Sequence, residues 1–445
     1  MTKNISILTL GCAKNEIDSE LMCSILKDNN YTVTNNLEDA DIIIVNTCGF
    51  ILDAKEESIE TIFEASRYKK EGKCKYLILA GCLAERYSKE LFEEIHEIDG
   101  IIGTGNIKDI VNVIDNLEKG NNKLKKTNNV DEDYLEKINR ISFRTTEYVR
   151  ISEGCNNHCS YCIIPKLRGK YRSRTIENIV QEVEYLVKNG VREIILIGQN
   201  TTDYGIDIYG EYSLSKLLDK LNQIENLKWI RLLYLYPDNF TDELIASIKN
   251  NEKVVKYVDI PLQHINNEIL RKMNRKTSKE EIQCLIRKLR KEIPNIIIRT
   301  TFIVGFPGET EEHFNELSDF IKKTKFDKLG VFTYSREEGT ASYNYPGQVE
   351  EDIKENRRNK LMEVQQRISY GLNKEKLNNN YLVLIEEFQG DNIYIGRTYM
   401  DAPDIDGIVY IKSKKDLKLG EFVNIKIVDS LEYDLIGEIE YEFSK

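Results

Sequence analysis

Cys155, Cys159 and Cys162 stand in a C-x3-C-x2-C pattern within the stretch Gly154-Cys-Asn-Asn-His-Cys-Ser-Tyr-Cys-Ile-Ile-Pro165. At a cysteine content near 2%, that spacing arises by chance about 0.004 times in a chain of this length. Positions i, i+4 and i+7 share one helix face, so a packed helical stripe is the bland alternative. Gly154, Asn156, Asn157 and Pro165 argue for a loop instead. Three thiolates crowded on a loop call for a metal. Four irons bound by three cysteines leave one iron open to a ligand, the logic that separates catalytic from structural metal sites. A second set is dispersed: Cys12, Cys48 and Cys82 each follow directly on an apolar run, at separations of 36 and 34 residues. That is about one βαβ unit each, and parallel strands bring their carboxyl ends to one edge. Gly11 and Gly81 would let the backbone approach a bulky group. Free cysteines are commonly buried, but the repeated strand-end placement favours a second three-cysteine cluster. Cys23, Cys74 and Cys284 lack such placement; the first and last read as packed thiols in helical stretches, and Cys74 as incidental.

The elements that must position these cysteines form three regions. Residues 1–118 alternate strand and helix, with runs at Ile5–Leu10, Asp41–Asn46, Tyr76–Ala80 and Gly100–Gly103; this predicts a doubly wound α/β domain. Residues 119–140 lose the apolar pattern and read as a linker. Residues 141–371 restart the alternation with six strand candidates, Glu147–Ser152, Glu193–Gly198, Trp229–Leu235, Lys256–Ile260, Ile296–Val304 and Lys328–Ser335. Six βα units predict a partial (β/α)6 barrel, short of the eight that close. A long charged helical stretch, Val349 to about Lys376, leads to residues 374–442, where five short alternating runs predict a small β-barrel.

Composition sets bounds. The 445 residues carry 63 Lys and Arg against 74 Asp and Glu, a net charge of −11, which argues against a broad phosphate-binding surface. No apolar run approaches a membrane span, and the first run is too short for a signal peptide, so a cytoplasmic, membrane-free protein with reduced thiols is expected.

C-x3-C-x2-C after the first strand of a partial barrel resembles the radical S-adenosylmethionine enzymes. The added three-cysteine domain and the tail, similar to a TRAM domain, resemble the methylthiotransferases among them. The resemblance covers essentially the whole chain. It implies two 4Fe–4S clusters and S-adenosylmethionine: the cluster of Cys155, Cys159 and Cys162 would yield a deoxyadenosyl radical, and that of Cys12, Cys48 and Cys82 would hold or donate sulfur. A second S-adenosylmethionine would supply the methyl group, and a reductant such as flavodoxin or ferredoxin the electrons. No side chain is expected to act as a general acid or base. With two clusters serving one substrate, the first domain should cap the open barrel.

One branch of the family acts on an aspartate β-carbon of ribosomal protein uS12, another on an adenosine of tRNA. Leu10-Gly-Cys-Ala-Lys-Asn15 with Asp18-Ser-Glu20, Asn46-Thr-Cys-Gly-Phe50, Ile260-Pro-Leu-Gln-His264, Tyr334-Ser-Arg-Glu-Glu-Gly-Thr340 and Asp401-Ala-Pro-Asp-Ile-Asp-Gly407 resemble the first branch. Ala13 stands where many relatives carry Pro. The tail, Tyr381 to Lys445, counts fourteen acidic against seven basic residues, which suits a basic protein substrate, free or in the small ribosomal subunit, better than tRNA. A tRNA methylthiotransferase and a non-enzymatic iron–sulfur carrier remain the alternatives. By the same resemblance Gln199 and Gly305, in turns after the second and fifth strands, are expected at the cofactor. Arg299, inside a buried strand, needs a partner, for which the cofactor carboxylate is a candidate. Arg168, Arg172 and Arg174 either steer a charged substrate or are solvated. His264 reads as a structural histidine.

Overall fold

The computed structural model describes residues 3–128, 140–141 and 143–439. Its first sheet is wholly parallel, with strands β1 (Asn4–Thr9), β2 (Thr32–Val33), β3 (Ile42–Thr47), β4 (Tyr76–Ala80), β5 (Ile98–Ile102) and β6 (Leu124–Lys126) in the order β2-β1-β3-β4-β5-β6. The central strands are buried on both faces, which is why they read as unbroken apolar runs. One face packs Leu21, Met22 and Leu26 of the helix Ala13–Asp28 and Val113 of Ile110–Glu118 against Ile5, Ile44 and Ile78. The other packs Ile62 and Ala65 of Leu52–Glu71 against Ile43, Val45 and Leu79. Strand β6 falls inside the stretch read as a linker, pairing Gly100 with Leu124. An edge strand is joined by backbone hydrogen bonds and tolerates Leu-Lys-Lys, so its polar sequence hid it. Residues 129–139 of that linker lie outside the described residues.

The second sheet is also parallel and open. It runs β14 (Lys328–Thr333), β13 (Ile297–Val304), β12 (Val254–Asp259), β11 (Trp229–Leu232), β10 (Glu193–Ile197) and β7 (Thr146–Arg150), with the two-residue strands β8 (Ser152–Glu153) and β9 (Arg172–Ser173) paired beside it. Helices such as Ile176–Lys188, Lys279–Glu292 and Glu351–Lys374 cover its outer face. Between edge strands β7 and β14 the barrel is unclosed, and the N-terminal domain spans that opening. On the β7 side, Arg150 meets Asp18 at 2.6 Å and Arg140 meets Glu20 at 2.8 Å. On the β14 side, Glu337 takes Arg86 at 2.7 Å and Lys55 at 2.8 Å.

The tail is a closed barrel of β15 (Asn380–Gly390), β16 (Ile393–Thr398), β17 (Val409–Lys412), β18 (Phe422–Ser430) and β19 (Leu435–Ile439), in the order β15-β16-β17-β19-β18. It seats on the amino-terminal end of the second sheet. Trp229 meets Phe422 edge-on at 4.7 Å, and the buried Glu193 holds Arg397 at 2.6 Å and Arg231 at 2.9 Å. Among the described residues, no helix is long and apolar enough to cross a membrane.

Candidate iron–sulfur and cofactor site

The loop carrying Cys155, Cys159 and Cys162 leaves β8 through Gly154, whose φ is +72°. Its shape is fixed from four directions. Cys155 N–H donates to the Gly169 carbonyl at 3.2 Å, Ser160 N–H to that of Met273 at 3.0 Å, Ser342 N–H to that of Ser160 at 2.8 Å, and Asn274 to that of His158 at 2.7 Å. Tyr161 inserts among Ile269, Met273, Phe306 and Tyr334. Burial pushes the Cys155 thiol up to about 11 and the Cys162 thiol up to about 12, and the neighbouring Cys159 adds to both. Such thiols are uncharged near neutral pH unless a cation draws their protons off, which bound iron does.

The second triad is assembled from three strand ends. Cys12 precedes the helix Ala13–Asp28, Cys48 follows β3, and Cys82 opens the helix Gly81–Arg86. Asn15 ties the first two loops, its amide donating to the carbonyls of Leu10 (2.8 Å) and Thr47 (3.2 Å). Thr47 ties the second to the third, donating to the Ala80 carbonyl at 2.6 Å and accepting from Ala84 N–H at 3.2 Å. Gly11 has φ +89°, and a Cβ there would stand 2.7 Å from Cys48 Cβ, so a side chain is excluded twice over. The three thiols feel one another: burial raises Cys48 and pushes Cys82 up to about 12, with Cys12 adding to each. Among the described residues, no three His, Cys, Asp or Glu close tightly enough to hold a single ion. Two open triads, with Cys48 and Cys82 buried and the other four thiols half-buried, fit a polynuclear cluster, whose ligands bind separate irons.

Both triads open toward the carboxyl ends of the second sheet. There the side-chain amide of Gln199, after β10, is buried with neither atom hydrogen-bonded, and Asn200 Nδ2 and Gln263 Oε1 are likewise unpartnered. Buried polar groups are rarely left so, and three at one mouth mark a polar ligand's place. Gln263 also holds φ +71°, a strained conformation of the kind that clusters at ligand sites. Lys14, buried beside Cys12, lays its ammonium 3.4 Å over the Tyr234 ring, joining the two domains at this mouth. Sequence reasoning quoted Lys14 and Gln263 within motifs but gave them no role; the positive φ of Gln263 left no trace in residue type.

Other expected residues sit differently. Arg299 points to the barrel floor, donating to Asp259 at 2.8 Å and lying 3.6 Å from Asp406 of the tail, so its partner is protein and not a cofactor carboxylate. Gly305 (φ +72°) gives its N–H to Glu309 at 2.9 Å and turns its bare face to the Lys354 side chain. Its glycine is explained by packing, and its donor is occupied. Arg168 and Arg174 are neither solvated nor free to steer: both are buried, Arg174 on Glu182 at 2.6 Å. Arg168 reaches Asp18 at 3.1 Å, Glu153 at 3.1 Å and Asn15 at 2.8 Å. His264 is buried, accepting from Asn266 N–H at 3.0 Å. Cys284 is exposed, against the expectation of a packed thiol, and Cys74 is buried.

An open parallel sheet with a three-cysteine loop after its first strand, a second triad facing it and a closed β-barrel behind define a three-domain radical S-adenosylmethionine enzyme. The profile of the radical SAM superfamily matches residues 149–321, that of uncharacterized protein family UPF0004 residues 4–103, and that of the TRAM domain residues 379–439. The "Ribosomal protein uS12 methylthiotransferase RimO" of Thermoanaerobacter sp. (strain X514) is 53% identical, covering 98% of this chain and 100% of its own. That of Clostridioides difficile (strain 630) is 49% identical over 99% of each. The chain belongs to the family of ribosomal protein uS12 methylthiotransferases that these relatives represent. Among solved structures, the radical S-adenosylmethionine methyltransferase TsrM of Kitasatospora setae aligns with a TM-score of 0.54 at 15% identity, over 75% of this chain and 72% of that one. The cobalamin-dependent S-adenosylmethionine radical enzyme OxsB aligns with 0.54 at 12%, over 82% and 56%. At these identities the two share a fold with this chain.

Proposed function

We propose that the chain replaces a C–H at the β-carbon of an aspartate in ribosomal protein uS12 by C–S–CH3. The observation that carries the reading is the meeting of two cysteine triads at one mouth, in a chain alike over its full length to enzymes of that name. Cys155, Cys159 and Cys162 hold one 4Fe–4S cluster, and Cys12, Cys48 and Cys82 the other. With S-adenosylmethionine they supply, respectively, the one-electron cleavage that activates an inert C–H bond and the sulfur that replaces it.

The protein's own part is placement. The clamped loop after β8 fixes the first triad against the sheet, and Asn15 and Thr47 lock three loops into the second. Gln199, Asn200 and Gln263 offer unpaired amide groups to the cofactor, while Arg299 and Gly305 shape the floor and the wall. The N-terminal domain shuts the side opening and keeps water from a reactive intermediate. A small electron-transfer protein such as flavodoxin or ferredoxin supplies the electrons, and a ribosomal substrate places the reaction in the cytoplasm.

Mass spectrometry of uS12 and of digested tRNA, from cells with and without the gene, tests the substrate. Loss of one methylthio group from a uS12 aspartate peptide with tRNA unchanged is the expected result. Loss from a tRNA adenosine would overturn it and leave the chemistry standing.

A further inference from the structure

We infer that Arg168, a residue of the barrel domain, sets the reduction potential of the cluster held by Cys12, Cys48 and Cys82 in the other domain. This rests on the reading that those cysteines bind a cluster. The Arg168 side chain is 2% exposed, and its Nη2 stands 3.7 Å from Cys82 Sγ, within reach of a hydrogen bond to sulfur. The same nitrogen donates to Asn15 Oδ1 at 2.8 Å, so the guanidinium is fixed to the residue that joins the first two cysteine loops. Asp18 shares that Nη2 at 3.1 Å and Glu153 takes Nη1 at 3.1 Å, and both carboxylates are also gripped by Arg150, at 2.6 and 2.8 Å.

A cluster gains negative charge when it is reduced. A cation and an N–H donor at a ligand sulfur stabilise that form and raise the potential, the more so where burial keeps the dielectric low. The first triad has a donor set of its own domain: Arg275 Nη1 lies 4.0 Å from Cys159 Sγ, its guanidinium is stacked 3.8 Å over Tyr236, and the Tyr236 hydroxyl lies 3.7 Å from the same sulfur. The second triad has Lys14 of its own domain beside Cys12 and receives a further charged donor, Arg168 at Cys82, across the domain boundary. Its cluster therefore holds its working potential only while the N-terminal domain is seated on the barrel.

The test uses the full-length chain with Cys155, Cys159 and Cys162 all changed to alanine, reconstituted anaerobically with iron and sulfide so that one cluster loads. Its midpoint is read by potentiometric titration followed by electron paramagnetic resonance. Arg168→Met is expected to lower the midpoint by about 59 mV or more, a tenfold shift of a one-electron couple. Arg168→Lys should recover part of that, and Glu153→Gln, which removes a nearby negative charge, should move the midpoint the other way. Opposite signs separate charge from mere loosening, which would move both variants alike. Equal midpoints at equal iron content would overturn the inference and leave the cluster standing. A parent that binds no iron would overturn both the cluster and the inference. Should Arg168→Met alone lose its iron, Arg168→Lys and Glu153→Gln decide.

Discussion

The two cysteine triads solve one problem in opposite ways. The first is local: eight consecutive positions, Cys155 to Cys162, supply all three thiols, and hydrogen bonds to the Met273 carbonyl and from Asn274 and Ser342 press the loop into shape. The second is long-range: its thiols come from three βα units and exist as a set only when the sheet is folded. A local site survives rearrangement of the surrounding fold, whereas a dispersed one reports on it. The dispersed triad is also the one whose charged support reaches it across the domain boundary, through Arg168.

The largest expected effect splits the triads. Cys159→Ala should abolish deoxyadenosine formation and product alike, whereas Cys48→Ala should retain deoxyadenosine and lose methylthio product by more than about 100-fold, since even outer-shell partners of a metal cost 10–100-fold. Chromatographic assay of both products checks this, and loss of deoxyadenosine in both variants would break the division. Next, Thr47→Val removes one donor and one acceptor that join the second and third loops. It should destabilise the N-terminal domain by about 2 kcal/mol and halve iron per chain while the C-x3-C-x2-C cluster remains; denaturant melts and iron assay read it. A full iron complement in this variant would show the dispersed triad to be as self-supporting as the local one.

A third change addresses the span over the barrel opening. Glu337→Gln weakens the contacts to Lys55 and Arg86, where Glu337 is 3% exposed. A charge-assisted bond of this kind contributes about 1.5–3 kcal/mol, so deoxyadenosine should form without matching product, seen as a rise in their ratio. An unchanged ratio would mean that the latch does not hold the domains in register.

The last change concerns pH, at His264, the neighbour of Gln263. Burial, with His313 adding to it, lowers His264 to about 3, against an ordinary value near 6.5; Glu309 lies 3.7 Å from its Nε2, and Glu316 and Arg357 also face it. The folded chain thus keeps His264 neutral where the unfolded chain binds a proton. Its contribution is whole above pH 6.5 and is lost as pH falls toward 3. The stability difference between the native chain and His264→Gln should shrink over that window in thermal melts, and a pH-independent difference would refute the assignment.

What was legible in the sequence follows the same division. The contiguous motif needs no fold to be seen, and the dispersed triad was visible because each cysteine ends an apolar run. The six strands of the open barrel and the five of the tail were read from period and length alone. Polar pairing between domains was not legible. Arg168 and Arg174 read as substrate-steering or solvated because a sequence shows a charge and not its partner, and Arg299 found its carboxylates in Asp259 and in Asp406, which lies in another domain. The tail's charge count misled in part for the same reason. Asp401 and Asp406 face Lys328, Arg299 and Tyr257, Glu386 holds Arg397, and Asp434 and Glu421 accept backbone N–H groups, so several of the fourteen acids bind the protein to itself. Among the described residues, the exposed acids Glu387, Asp391, Asp404, Asp416, Asp429, Glu432 and Glu438 are available to a basic partner.

The seating of the tail fixes a ruler. Phe422, Arg397 and Asp406 pin the small barrel to the amino ends of the strands, and the reacting mouth lies at their carboxyl ends. Strand β13 alone is 8 residues long, which places those ends roughly 25 Å apart at about 3.3 Å per residue. A short peptide around the target aspartate reaches only the mouth. A substrate that touches acids and mouth at once must keep its basic surface and its aspartate about that far apart, as a folded protein can and a tripeptide, about 10 Å long when extended, cannot.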